Sequence, residues 1–317
     1  MPSLRHRVPL KLAVDSTSFV ELGVGAYLPT LASIPPKPHI RAEVGRYRLR
    51  LAETSEDRDA ACRLRFRVFN IELGEGLESS YQTGRDMDRF DQCCEHLLVE
   101  DKLEDSPPRR IVGTYRMQSG ATAARNLGYY SAQEFSFAPY EPLRPGILEL
   151  GRACIAREHR TPEVLTLLWR GIAQYACDMG LRYLVGCSSI NSQDPAEGWQ
   201  MYSQLEPYKV SPEFETLPTA AFACPIEQQR AYAQPSHCQS ESIQSAQIQS
   251  GQMQSAQAQP APPKIPKLLR TYLAIGARIA APPAWDRAFG TIDFLTLLDL
   301  KLLSSSARNR FLAPLTQ

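Results

Sequence analysis

Apolar and charged residues alternate over 47–52, where Tyr47, Leu49 and Leu51 are separated by Arg48 and Arg50. A period of two predicts a half-buried strand, and Thr54 or Ser55 then caps a helix reaching to about Asn70. Two more strand-like runs, 96–100 and 111–117, flank a polar stretch holding Pro107 and Pro108, which predicts a hairpin with a long connection. Residues 147–155 read as another strand. Pro162 stands where a helix start accepts proline, and 164–179 carries helical spacing that stops at Gly180. A short buried strand follows over 183–187. The predicted order is strand, helix, three strands, helix, strand.

Outside that core the periodicity fails. Residues 1–45 show few periodic apolar positions and include Pro35, Pro36 and Pro38, so they are expected to form a loosely ordered arm. Over 227–263 the composition changes to Gln, Ser, Ala and Pro with a near-repeat, IQSAQ, IQSGQ, MQSAQ, which predicts a disordered linker. Beyond it, apolar residues at 268, 269, 272, 273, 275 and 279 predict a helix over 267–280, and 292–298 a last strand. Neither flank is large enough to stand alone, so the linker interrupts one fold: 46–226 is its main body and 264–317 completes it.

Composition narrows the functional classes. The chain has 317 residues, 43% hydrophobic and 22% charged, as an ordinary globular protein has. Lys and Arg total 35 against 34 acidic residues, which argues against a nucleic-acid binder. The 8 cysteines form no CxxC pair, and the adjacent Cys93 and Cys94 cannot easily face one ion, so reduced thiols and no metal site are expected. After Arg5, His6 and Arg7 the apolar stretch is broken by Asp15, Ser16, Thr17 and Glu21, too polar for a signal peptide or a membrane span. A cytoplasmic location is the expectation.

The segments LRFRVF (64–69), DMDRFD (86–91), CEHLLV (94–99), VGTYRM (112–117), YYSAQEF (129–135), LELGRACI (148–155) and LLWRGIAQYA (167–176), with TIDFLTLLDL near the end, resemble the bacterial ornithine acyl-carrier-protein N-acyltransferases. These belong to the GNAT superfamily and are related to the acyl-homoserine-lactone synthases. The resemblance implies an α/β (α+β) fold with a mixed central sheet flanked by helices, and transfer of a 3-hydroxy fatty acyl group from an acyl carrier protein to the α-amine of ornithine. It implies no bound cofactor, the carrier thioester being a co-substrate. Two departures are visible. The tryptophan usual after the first helix of the lactone synthases is replaced by Leu73-Gly74-Glu75-Gly76, and Arg157-Glu158-His159-Arg160-Thr161 stands where coenzyme A-dependent relatives place a Gly-rich phosphate turn.

The same pattern supplies site candidates. Glu149, on the strand that faces the thioester in this fold, is the first choice for taking the amine's proton, and pairing with Arg152 needs a bulge because 149 and 152 face opposite sides of a regular strand. His96 is a second candidate base. Asp88 and Asp91 with Arg65 and Arg116 offer two anions and two cations, which suits an amino acid's ammonium and carboxylate or, equally, a structural ion network. Phe69, one turn from Arg65, is read as core or acyl-pocket wall. Arg157, Arg160 and Arg182 are expected to dock the acidic carrier protein. A basic, amphipathic 264–280 suits contact with an anionic membrane or packing on the sheet. The rival readings are an N-acyl synthase for another small amino acid, a lactone synthase, and a silent acyl-carrier-binding module.

Overall fold

Thr54 closes a capping box with Asp57, so α1 (Ser55–Phe66) begins where the alternation of β2 (Tyr47–Leu51) ends. The computed structural model describes residues 37–225 and 263–312; the expected arm up to residue 36 and the linker up to residue 262 lie outside them. Residues 41–44, assigned to the arm, instead form β1 (Arg41–Val44), an antiparallel neighbour of β2. Only Ala42 of its side chains is buried, so no apolar periodicity marks it.

Past α1 the chain does not stop at Asn70 but runs on as a π-helical segment, Arg67–Leu73, ending at Gly74. This wider winding is rare and recurs at functional sites. The hairpin follows as β3 (Glu95–Asp101) and β4 (Ile111–Ser119), then β5 (Ile147–Ile155), α2 (Pro162–Asp178) and β6 (Tyr183–Ile190). The Thr161 hydroxyl caps α2, and its apolar face, from Val164 to Ala176, packs in one core with Leu49, Leu97, Met117 and Leu148. Helix α3 (Pro195–Gln204) comes next.

After the linker come α4 (Lys267–Ile275), β7 (Arg278–Ile279), β8 (Ala284–Asp286), β9 (Thr291–Asp299) and α5 (Ser305–Phe311). The helix expected over 267–280 ends early because Gly276, at φ 112°, terminates it, and the next residues pair with β9. The strand expected over 183–187 is longer because β9 pairs with it from Tyr183 to Ile190. The sheet order is β1-β2-β3-β4-β5-β6-β9-β7, with β8 also on β9, and only β5 and β6 are parallel, joined through α2. No helix among the described residues is long and apolar enough to cross a membrane.

Candidate active site

The parallel pair β5–β6 holds its register only from Ile147 to Glu149. Two local features mark the place where the pairing ends. On the β4 side the register shifts so that Tyr115 faces both Arg152 and Ala153, a bulge in which Arg152 adopts φ 50°. On the β6 side the carbonyl oxygen of Leu150 lies 2.2 Å from where a Cβ on Gly186 would stand, an approach only glycine permits. The gap continues into a cavity of about 430 Å³. One end is walled by Tyr115, Trp169, Leu269, Tyr272 and Leu298, the other by Arg116, Tyr130, Glu149, Arg152 and Asp293.

Glu149 is buried at the apex of this opening. Gln118 Nε2 donates to its Oε2 at 2.6 Å, Tyr130 N–H to the same oxygen at 2.9 Å, and Ser131 N–H to Oε1 at 2.7 Å. A carboxylate offers about four acceptor sites, so three donors lock its orientation and leave room for one more on Oε1. A directed acceptor facing a cavity is what an amine nucleophile requires.

Beside it lies a buried network of three arginines and three aspartates. Arg65, fully buried, binds Asp91 through both terminal nitrogens (2.7 and 2.8 Å) and Asp86 through Nε (2.8 Å). Arg116 Nη1 reaches Asp88 at 2.7 Å and Asp91 at 3.3 Å. Arg152 lies 3.3 Å from Asp86 and 3.2 Å from Asp88, between the rings of Tyr130 and Phe289, each 4.7 Å away. The two aspartates at 88 and 91 also close a capping box on the short helix Arg89–Gln92. The Arg65 guanidinium holds Asp91 well below the usual carboxylate range against the cost of burial. Arg116 Nη2 is buried, without a partner, on a residue that lines the cavity.

Residues 64–170 match the acetyltransferase (GNAT) domain family. The chain is 32% identical over 84% of its length, and 89% of the relative's, to an L-ornithine N(alpha)-acyltransferase of Brucella abortus. The chain belongs to the L-ornithine N(alpha)-acyltransferase family. A second relative with that description, from Agrobacterium fabrum, is 30% identical over 82% of this chain and 83% of its own. Among solved structures, FeeM, an N-acyl amino acid synthase from uncultured soil microbes, aligns with 82% of this chain and 95% of its own at 11% identity and a TM-score of 0.45. The domain-family match and the ornithine acyltransferase relatives make the protein a GNAT acyltransferase.

Within that family frame the sequence candidates separate into two shells. Glu149, Arg116, Arg152 and Phe69 line the cavity, whereas Arg65, Asp88 and Asp91 do not and instead hold the arginines in place. The expected Glu149–Arg152 pair does not form: the bulge turns Arg152 towards the aspartates, and Glu149 is taken by Gln118 and two backbone amides. His96 is buried against Asp91, 3.6 Å from its Oδ1, and is not part of the cavity wall. Burial lowers its pKa from 6.5 to about 4, helped by Arg65 and Arg116 and resisted by Asp91. A buried ring that does not reach the cavity is not placed to take the amine's proton.

The three arginines expected to dock a carrier do not cluster. Arg182 precedes the β6 residue paired with Ile147, the first of β5, while Arg157 and Arg160 follow the last, Ile155. In a parallel pair that places them at opposite ends, roughly 25 Å apart for eight residues. Arg160 binds Glu72 at 2.6 Å and Arg182 binds Asp299 at 2.6 Å. The sequence reading also passed over Asp86, Gln118, Tyr130 and Ser131. Asp86 opens the very DMDRFD run that supplied its two neighbours; the other three act through positions that no spacing rule marks.

Proposed function

We propose that the protein transfers a fatty acyl group, 3-hydroxylated as the family resemblance implies, from an acyl carrier protein thioester to the α-amine of L-ornithine, giving a lyso-ornithine lipid. The observation that carries this reading is the family identity together with a directed carboxylate at the polar end of an acyl-sized cavity. Cavities of this size bury ligands of several hundred Å³. The acyl chain lies towards Trp169, Tyr272 and Leu298, and its thioester reaches the splay.

The α-amine binds beside Glu149 and the acceptor's carboxylate at the unpaired Arg116 Nη2. Deprotonating an amine of pKa ~8 at pH 7 costs roughly 1.4 kcal/mol, so a modest acceptor such as Glu149 suffices. The neutral nitrogen attacks the thioester carbon and the C–N bond forms. The oxyanion is met by amides of β5 that lost their β6 pairing beyond Glu149. The C–S bond then breaks, and the proton released by the amine passes to the departing thiolate.

A carrier protein is favoured over coenzyme A by the 157–161 turn. There Thr161 Oγ1 already accepts Val164 N–H at the α2 start and Arg160 is held by Glu72, so the turn offers no open amide cradle of glycines. The test is to offer a long-chain acyl carrier protein or the matching acyl coenzyme A to the purified protein with ornithine, following free thiol and N-acyl product by mass spectrometry. The proposal expects product mainly from the carrier thioester, at a rate that falls with salt. Product from coenzyme A alone contradicts the donor assignment.

A further inference from the structure

A second group of acids lies along the sheet from Glu149, apart from the three arginines. Asp293 on β9 pairs with Ser189 of β6, and Cys187, two residues back, pairs with Leu295. Alternation along the strands puts Val185, Cys187, Ser189 and Asp293 on one face, with Glu149 across from Val185. Glu134 approaches the same point from the segment whose Tyr130 and Ser131 amides hold Glu149, and Cys187 Sγ donates to its Oε2 at 3.6 Å. Oxygens of Glu134 and Asp293 and the Cys187 sulfur lie within 4.8 Å of one another. Asp286 and Glu75 complete the acidic wall of the cavity on that side.

These acids lack a counter-charge. The neighbouring Arg116 and Arg152 are committed to Asp86, Asp88 and Asp91, and among the described residues no lysine or arginine pairs with Glu134 or Asp293. Asp293, 5% exposed and lining the cavity, has a buried Oδ1 with no hydrogen-bond partner. Isolated buried carboxylates are costly. Burial and the charge of Asp293 push Glu134 well above the usual carboxylate range, and burial raises Asp293 too. The pair therefore retains a proton that an incoming cation displaces.

We propose that Asp293, backed by Glu134 and flanked by Asp286, receives the side-chain ammonium of the amino-acid acceptor and selects for a second amine. This rests on the ornithine reading and gives it a structural reason. From Cα to Nδ an extended ornithine arm spans roughly 5 Å over four bonds of about 1.5 Å. The Val185 level, opposite Glu149, and the Cys187 level, whose sulfur lies within 4.8 Å of an Asp293 carboxylate oxygen, are two residues, about 6.8 Å, apart. An α-amine at Glu149 thus sends its δ-ammonium into the acidic corner. Glu134, Cys187 and Asp293 are also groups that a divalent cation could take, so the test includes removal of metal.

The test compares ornithine with norvaline, which keeps the three-carbon side chain and lacks the amine, on the full-length wild-type protein and on Asp293→Asn. Wild type is expected to favour ornithine by roughly 100-fold in kcat/KM, since losing a charge-assisted partner at a buried acid costs about that much. In Asp293→Asn the preference for ornithine over norvaline is lost, chiefly through a higher KM for ornithine. Glu134→Gln, with a thermal melt for each variant, repeats the comparison if Asp293→Asn does not fold. Equal wild-type use of the two acceptors overturns the inference alone. So does a preference that survives in the folded variants, or activity that dialysis against EDTA abolishes and zinc restores. Wild type that acylates norvaline or other amino acids and leaves ornithine untouched overturns the ornithine reading as well.

Discussion

At the scale of single residues the proposed chemistry rests on Glu149, and its three donors explain why the substitution Glu149→Gln is informative. An amide nitrogen cannot accept from Gln118, Tyr130 or Ser131, so the variant loses one of these bonds and its proton acceptor together. Turnover is expected to fall ~100-fold or more, while the melting temperature drops by only a few degrees, for a loss of about 1–3 kcal/mol. Near-normal turnover contradicts the assignment. His96 makes the opposite prediction: it matters for stability. Its folded pKa of about 4 lies below the ordinary 6.5, so the unfolded chain binds a proton first as pH falls. The His96 contribution is intact above pH 6.5 and is lost progressively down to about pH 4, at about 1.4 kcal/mol per pKa unit. The groups facing the ring are Asp91 from the preceding turn, Arg65 from α1 and Arg116 from β4. Denaturant titrations of wild type and His96→Gln should converge in pH dependence above 6.5 and diverge below it, wild type losing more; parallel curves would refute this. The residue types were legible in the sequence because the charged motif is dense, with three aspartates within six positions. Their division into cavity-facing and buried was not, since it depends on which guanidinium nitrogen each aspartate occupies.

The splay between β5 and β6 is the element that turns a sheet into a binding site. It opens at the bulge of Arg152 and just past the close approach at Gly186, and the second is open to a direct test. In Gly186→Ala the new methyl meets the backbone carbonyl of Leu150, not a flexible side chain, so the strands must shift. A loss of about 1–3 kcal/mol of stability is expected, as for other overpacked sites, together with reduced turnover. Wild-type stability and kinetics in that variant would show that the splay does not depend on the glycine. The bulge itself was foreseeable, because 149 and 152 cannot share a face of a regular strand. What it does was not: it brings Arg152 to the same cavity as Glu149 while leaving it bound to Asp86 and Asp88, so the two do not pair. The sequence leaves β1 unmarked because Ala42 alone is buried there, and it extends α4 too far because Ile279 continues the apolar spacing across Gly276.

Across the whole molecule, residues on both sides of the 227–263 segment meet in one cavity. Glu149, Arg116 and Tyr130 come from before it; Leu269, Tyr272, Asp293 and Leu298 come from after it. Helix α4 accordingly turns Leu269, Leu273 and Ile275 inward, and its apolar stripe is used in packing the sheet and walling the apolar end of the cavity. That favours the sheet-packing reading of this stripe over membrane contact. Order of elements and the run of motifs made the fold legible before any coordinates, while the acidic corner stayed hidden because Asp293 and Glu134 are 159 positions apart in the chain. The central claim, acyl transfer to ornithine, meets its most direct test in a competition assay. One long-chain acyl carrier protein is given to the purified protein with an equimolar mixture of ornithine and the proteinogenic amino acids, and the N-acyl products are identified with their site of linkage by mass spectrometry. The account predicts one dominant product, ornithine acylated on its α-nitrogen; a dominant product of any other amino acid, or linkage at the δ-nitrogen, would contradict it.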